Sequence, residues 1–192
     1  MNITDTNIPD VKIVEPDIFK DQRGYFFESW NQKKYINAGI CCNWIQDNES
    51  KSSYGVIRGL HYQLPPYTQA KLLRVVIGKI LDVAVDIRKD SPTYGKHAAV
   101  VLSDENKRQL FIPRGFAHGF AVLSECAIVQ YKCDNLYMPS HERGIRFDDP
   151  ALGIDWQIEP DQVISSEKDL KLPFFTDAEI IDFNSMEEKS NA

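Results

Sequence analysis

An all-β protein, a sandwich or barrel of antiparallel strands with a few short helices, is predicted by three observations. Short runs alternate apolar and polar residues with a period of two, the signature of strands rather than helices. Those runs follow one another closely and are bounded by Gly, Pro, Ser, Asp or Asn, as in sandwiches and barrels. Helical patterning is scarce, and at 192 residues, 43% hydrophobic and 26% charged, the chain has the size and composition of one domain with a sizeable core.

Met1 is followed by the polar run "NITDTNIPD" rather than a basic segment and an apolar core. "NQKKYINAG" predicts a short helix, with Gly39 suited to the position just past its end. Between Gly55 and the Pro65–Pro66 pair, "VIRGLHYQL" reads as a short strand reaching an internal cavity. "GKILDVAVDIRKD" puts Leu81, Val83, Val85 and Ile87 on one face and Asp82, Ala84 and Asp86 on the other. "HAAVVLS", "QLFIP", "GFAVLS" and "CAIVQYKC" are further strands. "SSEKDL", from Ser165, offers an N-cap serine and acid in the first turn of a second helix. With neither internal repeat nor linker, one domain is expected over residues 1–183, with "NSMEEKSNA" (184–192) as a loose, solvated tail.

A net charge of −6 argues against a nucleic-acid partner, so any anion site must be a local cluster of Arg and Lys. No stretch approaches the roughly 20 apolar residues of a membrane span, and a cytoplasmic protein is expected. Cys41, Cys42, Cys126 and Cys133 form no C-x-x-C pair and read as reduced, mostly buried thiols.

Inward-facing polar residues of a barrel line one cavity even when far apart in sequence. Two histidines belong to such positions. His61 lies in the strand just described, near Arg58 and Lys71. His118 lies in "FIPRGFAHGF", where Pro113 and Gly115 make a turn that leads into an apolar strand. The second stretch resembles a motif of the cupin superfamily, whose metal-binding members also carry H-x-H followed by glutamate. Here the first motif reads His61-Tyr62-Gln63 with no well-placed glutamate, so the ligand set is broken and no metal or other cofactor is expected. Proton transfer is the natural use of what remains. Histidine can act as a base near neutrality, a lysine ammonium can stabilise an enolate oxygen, and tyrosine can return a proton; His61, Lys71 and Tyr131 fit those roles.

"DQRGYFFESW", "QDNESKSSYGVIRGLHYQLPPYTQAKLLRV", "GKILDVAVDIRKDSPTYGKH", "LFIPRGFAHGFAVLSECAIVQYKC", "HERGIRFDDPALGIDW" and "SSEKD" resemble, in order and spacing, the dTDP-4-dehydrorhamnose 3,5-epimerase (RmlC) family. The resemblance implies a cupin jelly roll that forms a homodimer, needs no metal and acts on a dTDP-linked 4-keto-6-deoxy sugar, inverting C3 and C5. It implies His61 as base, Tyr131 as acid, Asp169 as the carboxylate that orients His61, and Lys71 at the enolate. Arg23, Glu28, Gln46, Asp47, Asn48, Arg58, His118, Glu142 and Lys168 align with substrate contacts, and arginine at positions 23 and 58 suits bidentate contact with a diphosphate or the sugar beside it. His97 stands where the family often has tryptophan, a position expected outside the cavity.

By pattern alone each residue has a plainer reading: Tyr131 as a packed strand residue, Lys71 and Arg58 as edge-strand charges, Asp169 as a first-turn acid, His118 as a cross-barrel hydrogen bond. The alternative functions are a monofunctional 3- or 5-epimerase or 3,4-ketoisomerase of a related nucleotide ketosugar, a metal-dependent cupin such as a dioxygenase, and a sugar-binding module without catalysis.

Overall fold

The computed structural model describes residues 1–180. It begins with four short strands, β1 (Asn2–Asp5), β2 (Lys12–Glu15), β3 (Phe19–Asp21) and β4 (Gly24–Phe26), followed by helix α1 (Gln32–Asn37). Asn31 caps α1 by accepting from the Lys34 amide, and Gly39 follows with φ +83°, so the predicted helix stands with the predicted stop. The body of the chain is β5 (Gln46–Ser53), β6 (Ile57–Gln63), β7 (Lys71–Ile77), β8 (Lys79–Asp86), β9 (His97–Ser103), β10 (Gln109–Ile112), β11 (Phe116–Val122) and β12 (Cys126–Cys133). The short β13 (Glu142–Gly144) and a one-turn helix α2 (Glu167–Leu170), capped by Ser166, complete it.

The strands form two antiparallel sheets packed face to face. One has the order β1-β2-β10-β7-β12-β5 and the other β13-β6-β11-β8-β9, while β3 and β4 make a separate hairpin. Neighbours in each sheet are mostly distant in sequence, which is the long-range pairing of a jelly roll. The interior between the sheets is filled by Leu73, Val75, Ile80, Val100, Leu110, Ile112, Phe116, Phe120 and Val129.

A further layer explains why β8 is buried along nearly its whole length. Leu81, Val83, Val85 and Ile87 do share a face, but that face lies outside the barrel, beneath Ile145, Phe147, Leu152 and Trp156 from the C-terminal third of the chain. Asp82 and Asp86, on the alternate face, are also fully buried. On the outer side of the other sheet, Tyr35 and Ile40 pack with Leu72 and Phe111.

All four cysteines are unpaired, but only Cys133 is buried; Cys41 is exposed and Cys42 and Cys126 are partly so, which corrects the expectation that most are buried. Cys42 packs against the outer cluster around Tyr35 and Ile40, and Cys126 and Cys133 are the first and last residues of β12. The end of the expected domain, 181–183, and the expected tail, 184–192, lie outside the described residues. Among the described residues no helix is long and apolar enough to cross a membrane.

Candidate active site

The site begins with two glycines. A side chain at Gly59 would meet the His118 carbonyl oxygen at 2.6 Å, and one at Gly119 would meet the Arg58 carbonyl oxygen at 2.6 Å. Their absence lets β6 and β11 approach closely, with a bulge between His118 and Phe120, and sets His61 directly opposite His118 in the register. Gly59 itself has φ +111°, a backbone conformation that side chains disfavour.

A different part of the chain supplies the partner of His61. Ile164 pairs with the backbone at Gly55 and Ile57, tying the segment ahead of α2 to the start of β6. The Ser166 cap then fixes the first turn, and Asp169 within it is 4% exposed. One Asp169 oxygen lies 2.8 Å from His61 Nε2 and the other accepts from the Gly59 amide at 3.3 Å. Burial alone would raise the Asp169 carboxyl; the His61 hydrogen bond and charge, together with the Gly59 amide and Ser166, outweigh it and hold the group below the usual carboxylate range. A carboxylate can only accept, so Nε2 carries the proton and the other ring nitrogen, Nδ1, is left with the basic lone pair.

His118, 7% exposed, makes the same kind of pair with fully buried Asp82, Nε2 to Oδ1 at 2.7 Å. Burial is the main reason that His118 titrates below its ordinary range, with Asp82 opposing and Lys71 reinforcing it.

Across the barrel, β7 and β12 pair so that Lys71 is opposite Cys133 and Leu73 opposite Tyr131. Lys71 and Tyr131 share a cavity of about 460 Å³ with His61, His118, Arg58 and Asp169. An adjoining lobe of about 290 Å³ adds Gln46, Asn48, Tyr137 and Glu142. Lys71 and Tyr131 have no side-chain hydrogen bond among the described residues. Burial holds the Lys71 ammonium below the usual lysine range and raises the Tyr131 phenol.

Strand alternation sorts the remaining residues. Gln46, Asn48 and Ser50 on β5 line the two lobes, whereas Asp47 lies between them, 71% exposed and paired with Lys132 on the opposite face of the sheet. At the mouth, Glu142 accepts from Tyr137 at 2.7 Å and pairs with Lys168; burial would raise its carboxyl, and these two donors more than offset that. Arg58 donates to Ser52 at 3.0 Å. His97, at the start of β9, lies outside both lobes, as expected.

Arg23 and Glu28 are not brought to the cavity within one chain. Arg23 is 91% exposed beside the β3–β4 hairpin, paired with Asp21, and Glu28 pairs with Lys34. The hairpin also exposes Phe19, Tyr25 and Phe26. Sequence reasoning missed Asp82, which reads as the solvent-facing side of an alternating strand, and missed the cavity-lining Ser50 and Ser165, whose buried hydroxyls have no partner among the described residues. Polar loop and strand positions such as these carry no sequence signal.

Comparison with known proteins agrees with this geometry. The family model described as dTDP-4-dehydrorhamnose 3,5-epimerase matches residues 5–177. An enzyme of that name from Shigella flexneri is 53% identical over 180 residues, covering 93% of this chain and 98% of the relative. A crystal structure of the Legionella pneumophila RmlC enzyme in complex with dTDP-4-keto-L-rhamnose superimposes with a TM-score of 0.88 at 49% identity, covering 91% of this chain and 93% of that one. A 3'-monoepimerase from Streptomyces bikiniensis in complex with dTDP-quinovose superimposes with a TM-score of 0.86 at 30% identity, covering 97% and 96%. With sequence match along nearly its whole length, and a cupin-type jelly roll carrying His61 and Asp169 within one cavity, this chain belongs to the dTDP-4-dehydrorhamnose 3,5-epimerase family.

Proposed function

We propose that the protein inverts C3 and C5 of dTDP-4-dehydro-6-deoxy-D-glucose to give dTDP-4-dehydro-L-rhamnose, in dTDP-L-rhamnose biosynthesis. The observation that carries this reading is the hydrogen bond between His61 and buried Asp169, in a cavity shared with Lys71 and Tyr131. Greater identity to the double epimerases, 53% and 49%, than to the monoepimerase, 30%, favours two centres over one.

The C4 ketone acidifies the C–H bonds at C5 and C3. His61 Nδ1 takes the C5 proton, and the electron pair moves onto O4, where the Lys71 ammonium stabilises the enolate. Tyr131, a phenol protonated near neutrality and raised further by burial, returns a proton from the opposite face. Once His61 has released its proton to solvent and Tyr131 has regained one from it, the same cycle follows at C3. Each step uses side chains alone. Arg58 binds the diphosphate or the sugar beside it, and Gln46, Asn48, His118, Glu142 and Lys168 make further substrate contacts.

Arg23, Glu28 and Asp47 fit this scheme only if the enzyme is a homodimer. The exposed hairpin with Phe19 and Phe26 would then bring Arg23 and Glu28 to a second copy's cavity, and Asp47 would act at the outer face of its sheet. The four unpaired thiols suit a cytoplasmic enzyme.

Incubation with dTDP-4-dehydro-6-deoxy-D-glucose in deuterated water tests the reading. Deuterium at both C3 and C5 with inversion at both is expected by NMR; label confined to one carbon would convert the assignment to a monofunctional epimerase, and binding without label to a sugar-binding module. His61→Ala should abolish exchange, whereas Tyr131→Phe should impair inversion more than initial proton loss. Full turnover by His61→Ala would refute the mechanism.

A further inference from the structure

Asp82 takes no part in the steps above, yet its position is hard to explain by packing. It is fully buried on β8, one oxygen accepts from His118, and the other has no hydrogen-bond partner among the described residues. A buried carboxylate oxygen without a donor is costly, and an apolar residue of similar size would serve a barrel interior better.

The surroundings show what the unclaimed charge can act on. The groups that bear on the barrel floor are His118 from β11, His61 from β6, Cys133 and Tyr131 from β12, Glu142 from β13 and Lys71 from β7. Of the carboxylates, Asp169 is held by His61 and the Gly59 amide, and Glu142 by Lys168 and Tyr137. Lys71 carries its charge into the interior with no ion pair of its own among the described residues. Asp82 and Lys71 approach the same histidine from opposite sheets, and each is felt by it.

We propose that Asp82 is a positioning residue of the epimerase: one oxygen fixes the ring of His118, and the negative charge is the counter-charge of the Lys71 ammonium that faces the enolate. This rests on the role given to Lys71 above. Burial disfavours the charged form of Lys71, and Cys133, Asp82 and Glu142 oppose this; of the three, Asp82 is the carboxylate with an oxygen that no donor claims, and it acts without occupying the donors that Lys71 must offer to O4.

Asp82→Asn keeps the size of the side chain and an oxygen for His118 while removing the charge. The basic limb of its kcat–pH profile is expected to move down by about one pH unit or more, with kcat about ten-fold lower at pH values alkaline of the original limb and KM little changed. A second measurement does not depend on which sugar is turned over. Lys71→Met strands the Asp82 charge, so adding Asp82→Asn to it should recover part of the lost Tm, a coupling read from the four-membered cycle. Should Asp82→Asn alone fail to fold, a folded Lys71→Met/Asp82→Asn double variant supports the pairing, and a double variant that also fails overturns it. A pH profile that superimposes on that of the unmodified enzyme, with Tm losses that simply add, overturns it too. Failure of the epimerase reading itself would be seen separately, as absence of deuterium exchange in the unmodified enzyme.

Discussion

The two histidines of the cavity differ in what their carboxylates leave them free to do. His118 is 7% exposed and closed in by Asp82, while His61, with a side chain 29% exposed, turns one nitrogen to Asp169 and keeps the other available. The consequence is specific to the carboxylate. An amide in place of Asp169 could donate to Nε2, which would move the ring proton to Nδ1, the nitrogen assigned to take the substrate proton. Asp169→Asn is therefore expected to lower kcat by about a hundred- to ten-thousand-fold, with KM little affected, by analogy with histidine bases that lose their orienting carboxylate. Steady-state kinetics check this, and an unchanged kcat would sink the tautomer argument. His61, Lys71 and Tyr131 were recognisable in the sequence because their residue types match a chemistry. Asp82 was not, because an aspartate on the polar side of an alternating strand reads as solvent-facing until a second sheet covers it.

Elements with an apolar alternation or a capping signal were the legible ones. β9 and β12 coincide with the runs "HAAVVLS" and "CAIVQYKC", α1 ends at the predicted glycine, and α2 begins at a serine of the predicted cap. β5 was not read as a strand, since "QDNESKSS" has no apolar periodicity; it owes its extended form to pairing along its whole length with β12. That omission had a cost at the site. Gln46, Asp47 and Asn48 were taken as one block, but a strand sends successive side chains to opposite faces, and Asp47 accordingly pairs with Lys132 outside the cavity. The close pairing of β6 and β11 makes its own prediction. Gly59→Ala would put a methyl group 2.6 Å from the His118 carbonyl and force an unfavourable φ, so a loss of roughly 1–3 kcal/mol is expected by chemical denaturation. Because the same contact sets His61 opposite His118, activity should fall in the protein that still folds; equal stability would show that the strands have room to separate.

At the scale of the whole molecule, the exposed hairpin suits the homodimer proposed above. Phe19 and Phe26 are 64% and 69% exposed on two strands that join neither main sheet. If Arg23 acts in a second copy's cavity, mixing Arg23→Ala with His61→Ala subunits creates mixed dimers in which one cavity has both an intact His61 and an intact Arg23. Activity should then rise well above that of either variant alone after subunit exchange, whereas no recovery would mean that Arg23 works within its own chain or not at all. The sequence by itself determined the all-β class, most of the central strands, the stop of the first helix and the start of the second, and the residue types of the acid–base chemistry, because periodicity and capping are local and chemistry follows residue type. Only the tertiary structure decided which polar side chains share a cavity: Asp169 reaches His61 from 108 positions away, Asp82 reaches His118 across neighbouring strands, and Asp47 is turned out by strand alternation. Those placements depend on which strands pair and which layer covers each sheet, and long-range pairing leaves no mark in the residues nearest to it in sequence.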